Sequence, residues 1–275
     1  MIRLPLPLLA LLGLSLPAAA QLRRAAPPAP FTIGVVETVH SAVLGEDRVL
    51  NIALPPGYHP DSAARYPVIY ALDGGADEDF IHLAGLVQFA AFPWVEWLPP
   101  SIVVGIANVD RKRDLTFPTT VARDKADYPT TGGSAAFQRF LGEEVLPFVD
   151  SLYRTDGART LIGQSFGGLF AAELLLEHPG LFDRYVIVSP SMWWDNGSLL
   201  QADPAFLRDT VQAPEAVFVA VGEEGAEMVD GARRLAALVG RSPKVRVECR
   251  ELKGHDHGTI LHQAVLDGIR WLKGR

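Results

Sequence analysis

Ser165 sits in Gly163-Gln164-Ser165-Phe166-Gly167-Gly168, directly after the apolar run Arg159-Thr160-Leu161-Ile162 and before a helical pattern from Leu169 to Glu177. A serine on a tight strand-to-helix turn projects its hydroxyl out of the turn as a nucleophile. The flanking glycines remove the Cβ atoms that would clash there, and the amide after the serine is left to face a substrate oxygen. A serine hydroxyl is a weak nucleophile and needs a base within hydrogen-bond reach. In the α/β-hydrolase arrangement the chain order is Ser, then Asp or Glu, then His. The base is therefore expected late, and Lys253-Gly254-His255-Asp256-His257-Gly258 is the segment that fits. Of its two histidines His257 is preferred over His255, because Gly258 beside it permits an exposed turn.

The acid that would orient His257 is expected after the apolar run Ala216–Val221, in Gly222-Glu223-Glu224-Gly225. Glu224 is the first candidate, with Glu223 and Glu227 behind it, and Asp195 is a variant placement after the preceding strand. A Ser–His dyad, with these carboxylates as solvated charges at a helix N-terminus, stays open beside them. The oxyanion that forms on attack needs two donors. One is the amide of Phe166; the other belongs to the turn Asp73-Gly74-Gly75 after the run Val68–Leu72, from Gly74 or Gly75. Arg111, Arg113, Trp193 and Trp194 are the candidates for binding substrate, since aromatic walls with cationic groups suit aromatic, anionic acyl groups.

These residues require a scaffold that brings late turns together. The continuous apolar runs Val68–Leu72, Ile102–Ala107, Thr160–Ile162, Tyr185–Val188 and Ala216–Val221 suit strands buried on both faces of a mainly parallel sheet. Helical patterns separate them: Phe80–Phe92, Ser134–Leu152, Leu169–His178, Gly225–Val239 and His262–Leu272. Alternation over Thr32–Val43 and Arg48–Leu54 predicts two antiparallel strands ahead of them, and Val245–Leu252 a last one. The expectation is one α/β domain over residues 31–275 with helices on both faces. The long connections Asn108–Gly133 and Ser189–Pro214 follow strand ends, where open α/β sheets place their crevices.

The chain has 275 residues and a net charge of −7, and no Lys/Arg cluster offers a phosphate footprint, which argues against nucleic acid. Cys249 is the single cysteine, so no internal disulfide or Cys-based metal site can form. His255-x-His257 lacks the further ligands a metal would need, and no cofactor is implied. Arg3, the apolar run Leu4–Leu16 and Ala18-Ala19-Ala20 read as a secretory signal over residues 1–20, cleaved after Ala20. Pro5, Pro7 and Pro17 interrupt a run already too short to span a membrane. Residues 21–30 read as a flexible lead-in, and the mature protein is expected in a periplasm or outside the cell.

At these residues the chain resembles the Putative esterase (esterase D-like) family of the α/β-hydrolase superfamily. The resemblance runs from about Ser41 to the C-terminus. It rests on Ala53-Leu54-Pro55-Pro56-Gly57-Tyr58, Tyr66–Gly74, Val104-Gly105-Ile106, Arg111–Thr116, Gly163–Gly168, Ser189–Trp194 and Gly254–Gly258, in that order. Within the family it is similar to the siderophore-esterase branch, which hydrolyses catecholate trilactones. The resemblance implies an α/β-hydrolase fold, a nucleophile at Ser165 and a base at His257. Some trilactone esterases lack a well-placed acid, which keeps the dyad open here. The sequence departs from the pattern at Phe117-Pro118, where similar chains carry Thr-Pro directly after the Asp-Leu pair. The activity implied is serine carboxylester hydrolysis of a small-molecule ester. An acyltransferase using the same residues, or a binding protein on the same scaffold, is the alternative.

Overall fold

Strands with no polar face must be covered on both sides, and the chain does this with one sheet between two helical layers. The computed structural model describes residues 24–208 and 211–274. The leader expected over residues 1–20 lies outside them. The chain divides into a short leading unit ending at Thr32 and a main unit beginning at Ile33. In the leading unit, residues 24–32 form no helix or strand.

In the main unit eight described strands form one sheet: β1 Val35–Ser41, β2 Glu46–Ala53, β3 Tyr66–Ala71, β4 Ile102–Ile106, β5 Thr155–Gln164, β6 Arg184–Val188, β7 Ala216–Val221 and β8 Arg246–Glu251. Their order is β1-β2-β4-β3-β5-β6-β7-β8. β2 runs antiparallel to β1 and β4, and the remaining neighbours are parallel. This is the α/β-hydrolase fold, as its structural neighbours below also show.

Period-two alternation divides each central strand between two cores. Val68, Tyr70 and Leu72 join Val217, Val219 and Val221 on one face, with Phe137, Phe170 and Leu235 from the helices there. Ile69 and Ala71 join Phe218 and Ala220 on the other, under the helices Phe80–Ala90 and Ile260–Lys273. Among the described residues no helix is long and apolar enough to cross a membrane.

The pattern Ser134–Leu152, expected as one helix, is broken into Ser134–Arg139, a π-helical segment Phe140–Val145, and Leu146–Leu152. Pro147 explains the break, since it has no N–H to donate and its ring crowds the carbonyl four residues back. Inside the π segment Glu144 accepts hydrogen bonds from the amides of Ala42 and Val43 at 2.8 and 3.1 Å, tying the β1–β2 turn to this layer.

Candidate active site

The turns that follow β3, β5, β6, β7 and β8 meet at one edge of the sheet. Ser165, between β5 and the helix Phe166–Glu177, has φ 60° and ψ −119°, a backbone that L-residues adopt only at a cost. Its surroundings hold it there. The Ser165 N–H donates to the Val188 carbonyl at 3.0 Å, and its carbonyl accepts from Leu169 and Ser191 at 2.9 and 3.1 Å. A Cβ on Gly163 would lie 2.3 Å from the Gly167 carbonyl oxygen, and one on Gly168 would press on Pro190 and Val188 at 3.0 Å. The glycines are there because strand and helix cross that closely. Phe166 opens the helix, so its N–H has no carbonyl one turn back to bind.

The loop after β8 carries His257, whose Nδ1 lies 2.5 Å from Glu224 Oε2. The Glu224 side chain is 3% exposed, and its other oxygen accepts from Ser189 Oγ and from the Gly222 N–H at 2.9 Å. A carboxylate partner makes Nδ1 the donor and leaves Nε2 as the basic nitrogen. Main-chain contacts fix the loop: the Glu223 N–H donates to the His255 carbonyl at 2.7 Å, and Gln164 Nε2 to the His257 carbonyl at 2.5 Å. Gly222 has no room for a Cβ, which would lie 2.4 Å from that His255 oxygen. Ser165 and His257 both border a cavity of about 390 Å³, shared with Asp73, Glu78, Asp79, Arg111, Gln164 and Gly258.

The other candidates for base and acid are engaged elsewhere. His255 Nδ1 faces the Thr259 carbonyl at 3.3 Å. Glu223 is exposed and accepts from the Gly254 N–H at 3.3 Å, and Glu227 is exposed in the first turn of the helix Ala226–Val239. Asp195 accepts from the Thr120 N–H and Oγ1 at 2.6 and 2.7 Å and from Thr119 at 3.1 Å, so it ties two long loops together. Partial burial raises its pKa, but these donors outweigh that and hold it down at about 2.

Several sequence expectations about the pocket need correction. The Gly74 N–H is not free for an oxyanion, because it donates to the Ile106 carbonyl at 2.9 Å. Gly74 is small for packing: its Cβ would lie 2.3 Å from Gly105 Cα, and Asn51 holds its carbonyl at 2.8 Å. The Gly75 N–H points instead to Glu78 Oε2 at 2.7 Å. Arg111 does line the cavity, but its guanidinium is clamped on Asp73 at 2.6 and 2.8 Å and reaches the Gln164 carbonyl at 3.2 Å. Arg113 does not line it. Its guanidinium is bound by Glu46 and by Asp114, the latter at 2.7 Å, in a network that includes fully buried Arg48. Trp194 is buried to 0% and donates to the Phe117 carbonyl at 2.9 Å, as a core residue. Trp193 is half-buried, packed at a tilt against Phe166 and Tyr128 with centroids 5.9 and 6.2 Å away, and is absent from the cavity lining.

A model of the Putative esterase family matches residues 41–260. The chain belongs to this family. The ferri-bacillibactin esterase BesA of Bacillus subtilis is 30% identical over 264 residues, 88% of this chain and 90% of that protein. Among solved structures, an IroE-like serine hydrolase from Shewanella oneidensis is 31% identical with a TM-score of 0.78, covering 87% of this chain and 79% of that one. The BES protein from Bacillus cereus is 27% identical with a TM-score of 0.78, covering 92% and 99%.

In this member of the family, the cavity lining is acidic. Asp73, Glu78 and Asp79 face the cavity, with Arg111 the lining cation among the described residues. Burial first, then the charges of Asp73 and Glu78, pushes the Asp79 pKa up to about 6. Sequence reasoning missed Asp73, Glu78, Asp79, Asn108, Gln164 and Ser189 as parts of the site. One signal was available: the acidic run Asp77-Glu78-Asp79, one residue after the Asp73-Gly74-Gly75 turn that follows a strand.

Proposed function

We propose that the protein is a serine carboxylester hydrolase that works through an acyl-enzyme on siderophore trilactones or related aromatic esters, after export from the cytoplasm. The observation that carries this reading is the Glu224–His257 hydrogen bond at 2.5 Å, bordering the cavity that Ser165 also lines. His257 Nε2 takes the Ser165 proton as Oγ attacks the ester carbonyl. The buried Glu224 carboxylate holds the imidazole and stabilises the imidazolium that forms. The Phe166 N–H donates to the developing oxyanion, His257 protonates the leaving alcohol, and the same nitrogen then activates water for deacylation.

The family membership supports ester hydrolysis, and the name of the Bacillus subtilis relative supports a siderophore as the ester. The signal-like first 20 residues support export. The acidic wall favours a neutral trilactone over a strongly anionic one, by plain charge repulsion. The test is labelling of the mature protein with a fluorophosphonate, followed by hydrolysis of p-nitrophenyl, feruloyl and trilactone esters, the last iron-free and ferric. Wild type is expected to label and Ser165→Ala to label not at all, with the iron-free trilactone hydrolysed faster than the nitrophenyl esters. A wild type that fails to label would overturn the serine mechanism. A protein that labels but leaves every trilactone intact would overturn the substrate class.

A further inference from the structure

The long connections after β4 and after β6 are joined at one side chain. Asp195 Oδ1 accepts from the Thr120 N–H and Oγ1 at 2.6 and 2.7 Å and from Thr119 Oγ1 at 3.1 Å, while the Asp195 N–H donates to Asp124 Oδ2 at 3.1 Å. The backbone is left-handed there for three residues running: Asp195 has φ 50° and ψ 46°, Asn196 φ 53° and ψ 31°, and Gly197 φ 71° and ψ 26°. Two of the three carry a Cβ, so their surroundings must impose the conformation. The segment that Asp195 holds has little else to hold it. The helix Ala122–Asp127 has six residues, no side-chain cap and no buried side chain, and so short a helix does not stand alone. It ends at Tyr128, whose N–H donates to the Asp124 carbonyl at 2.9 Å. The Tyr128 ring meets the Phe166 ring edge-on, with centroids 5.3 Å apart. From the other connection Trp193 and Trp194 reach the same Phe166 ring at 5.9 and 5.7 Å, and Phe166 is left 6% exposed.

We propose that Asp195 is a positioning residue for the reaction: it sutures the two connections so that Tyr128, Trp193 and Trp194 close around the Phe166 ring and fix the Phe166 N–H that donates to the oxyanion. The proposal rests on the serine-esterase reading and adds to it a residue that touches neither substrate nor nucleophile. Asp195 directly follows Trp194, and Asp124 carries both the bond to Asp195 and the bond to Tyr128. The suture therefore lies beside the aromatic walls that it sets. Phe166 follows the left-handed Ser165, so its backbone sits at a strained turn and is held by what packs on its side chain. A donor helps the transition state only if it is already aimed where the charge will develop. Without the carboxylate, Thr119 and Thr120 lose their acceptor, the exposed helix loses its anchor, and Tyr128 is free to leave Phe166. The amide is then less well aimed, while the groups lining the cavity stay as they are.

The test uses p-nitrophenyl acetate and the full mature protein, with denaturation midpoints read for every variant and rates taken well below them. Asp195→Ala is expected to lower kcat about tenfold and leave KM within about twofold, less than the hundredfold or more that follows outright loss of an oxyanion donor. Asp195→Asn keeps an acceptor oxygen for Thr120 and should recover most of that loss. Tyr128→Ala should lower kcat by a similar factor. The double variant should be no slower than the slower single one, because both substitutions break one path to Phe166. Arg123→Ala, on the same helix but paired only across an exposed turn with Asp127, should stay within about twofold of wild type. An Asp195→Ala enzyme with unchanged kcat overturns the proposal, as does a loss seen in KM alone or a double variant whose losses multiply. Fluorophosphonate labelling separates the two levels. A wild type that neither labels nor turns over removes the serine-esterase reading and this proposal with it, whereas a wild type that labels and an Asp195→Ala enzyme of full kcat remove this proposal alone.

Discussion

Glu224 and Glu78 flank Ser165 from opposite sides, in the turns after β7 and after β3. The Glu224 side chain is buried, and its two oxygens take donors from Ser189, Gly222 and His257, in the turns after β6, β7 and β8. Glu78 is exposed and held by one amide and one flexible side chain. A carboxylate that must orient a base is useful only if it cannot move. The same functional group is thus fixed in one turn and loosely held in the other, and burial with donor supply separates the two.

The largest effect is expected where the fixed side is broken. Glu224→Gln should lower kcat on an activated ester by about a thousandfold with little change in KM, because the imidazole loses its orienting charge. Glu223→Gln, one residue away and exposed, should change it less than about twofold. A Glu224→Gln enzyme within about tenfold of wild type would mean that Ser165 and His257 act as a dyad.

The second contrast lies beneath the loosely held side. Arg48 and Asp114 are 0% and 1% exposed and 2.7 Å apart, and they hold the helical turn Arg111–Asp114 that presents Arg111. Arg48→Met takes from Asp114 its fully buried partner, leaving only the partly exposed Arg113 on its other oxygen, and should cost about 3–5 kcal/mol in chemical denaturation. Arg113→Ala, partly exposed, should cost about 1 kcal/mol and change kcat/KM by the same factor for anionic and neutral aromatic esters. A loss confined to anionic esters would return Arg113 to the substrate pocket.

The last effect, on stability alone, concerns Glu173, on the helix behind Ser165. It is 3% exposed, accepts from Ser134 Oγ at 2.8 Å, and has no partner for Oε2. Burial, its largest cause, raises its pKa to about 8. Because the folded state then holds a proton that the unfolded state releases near pH 4.5, stability falls as pH rises from about 4.5 to 8. Glu173→Gln should remove that slope and add on the order of 2 kcal/mol at pH 9, read from denaturation midpoints across pH. A slope unchanged by the substitution would show that another group carries it.

Much of the fold was legible because apolar runs without a polar face can be placed only inside a covered sheet. Chain order then put Ser165, Glu224 and His257 at the ends of three strands, which is enough to bring them near one another. Pairings between distant residues were not legible. Arg113 looked available because its partner Glu46 lies 67 residues away, and Asp195 stayed a variant placement for the acid because Thr119 and Thr120 carry no sign in the sequence that they donate to it. Trp193 and Trp194 are adjacent and identical in type, yet one is half-buried and the other is core. Only packing distinguishes them.

Gly105, one residue before the end of β4, touches none of this chemistry, but its missing side chain decides where the chemistry can happen. A Cβ there would lie 2.5 Å from the Gly74 carbonyl and 2.6 Å from the Phe80 ring, so any other residue would lever the turn after β3 off the sheet. In terms of inheritance, the loss of esterase function can begin at a position with no charge, no nucleophile and no view of the substrate.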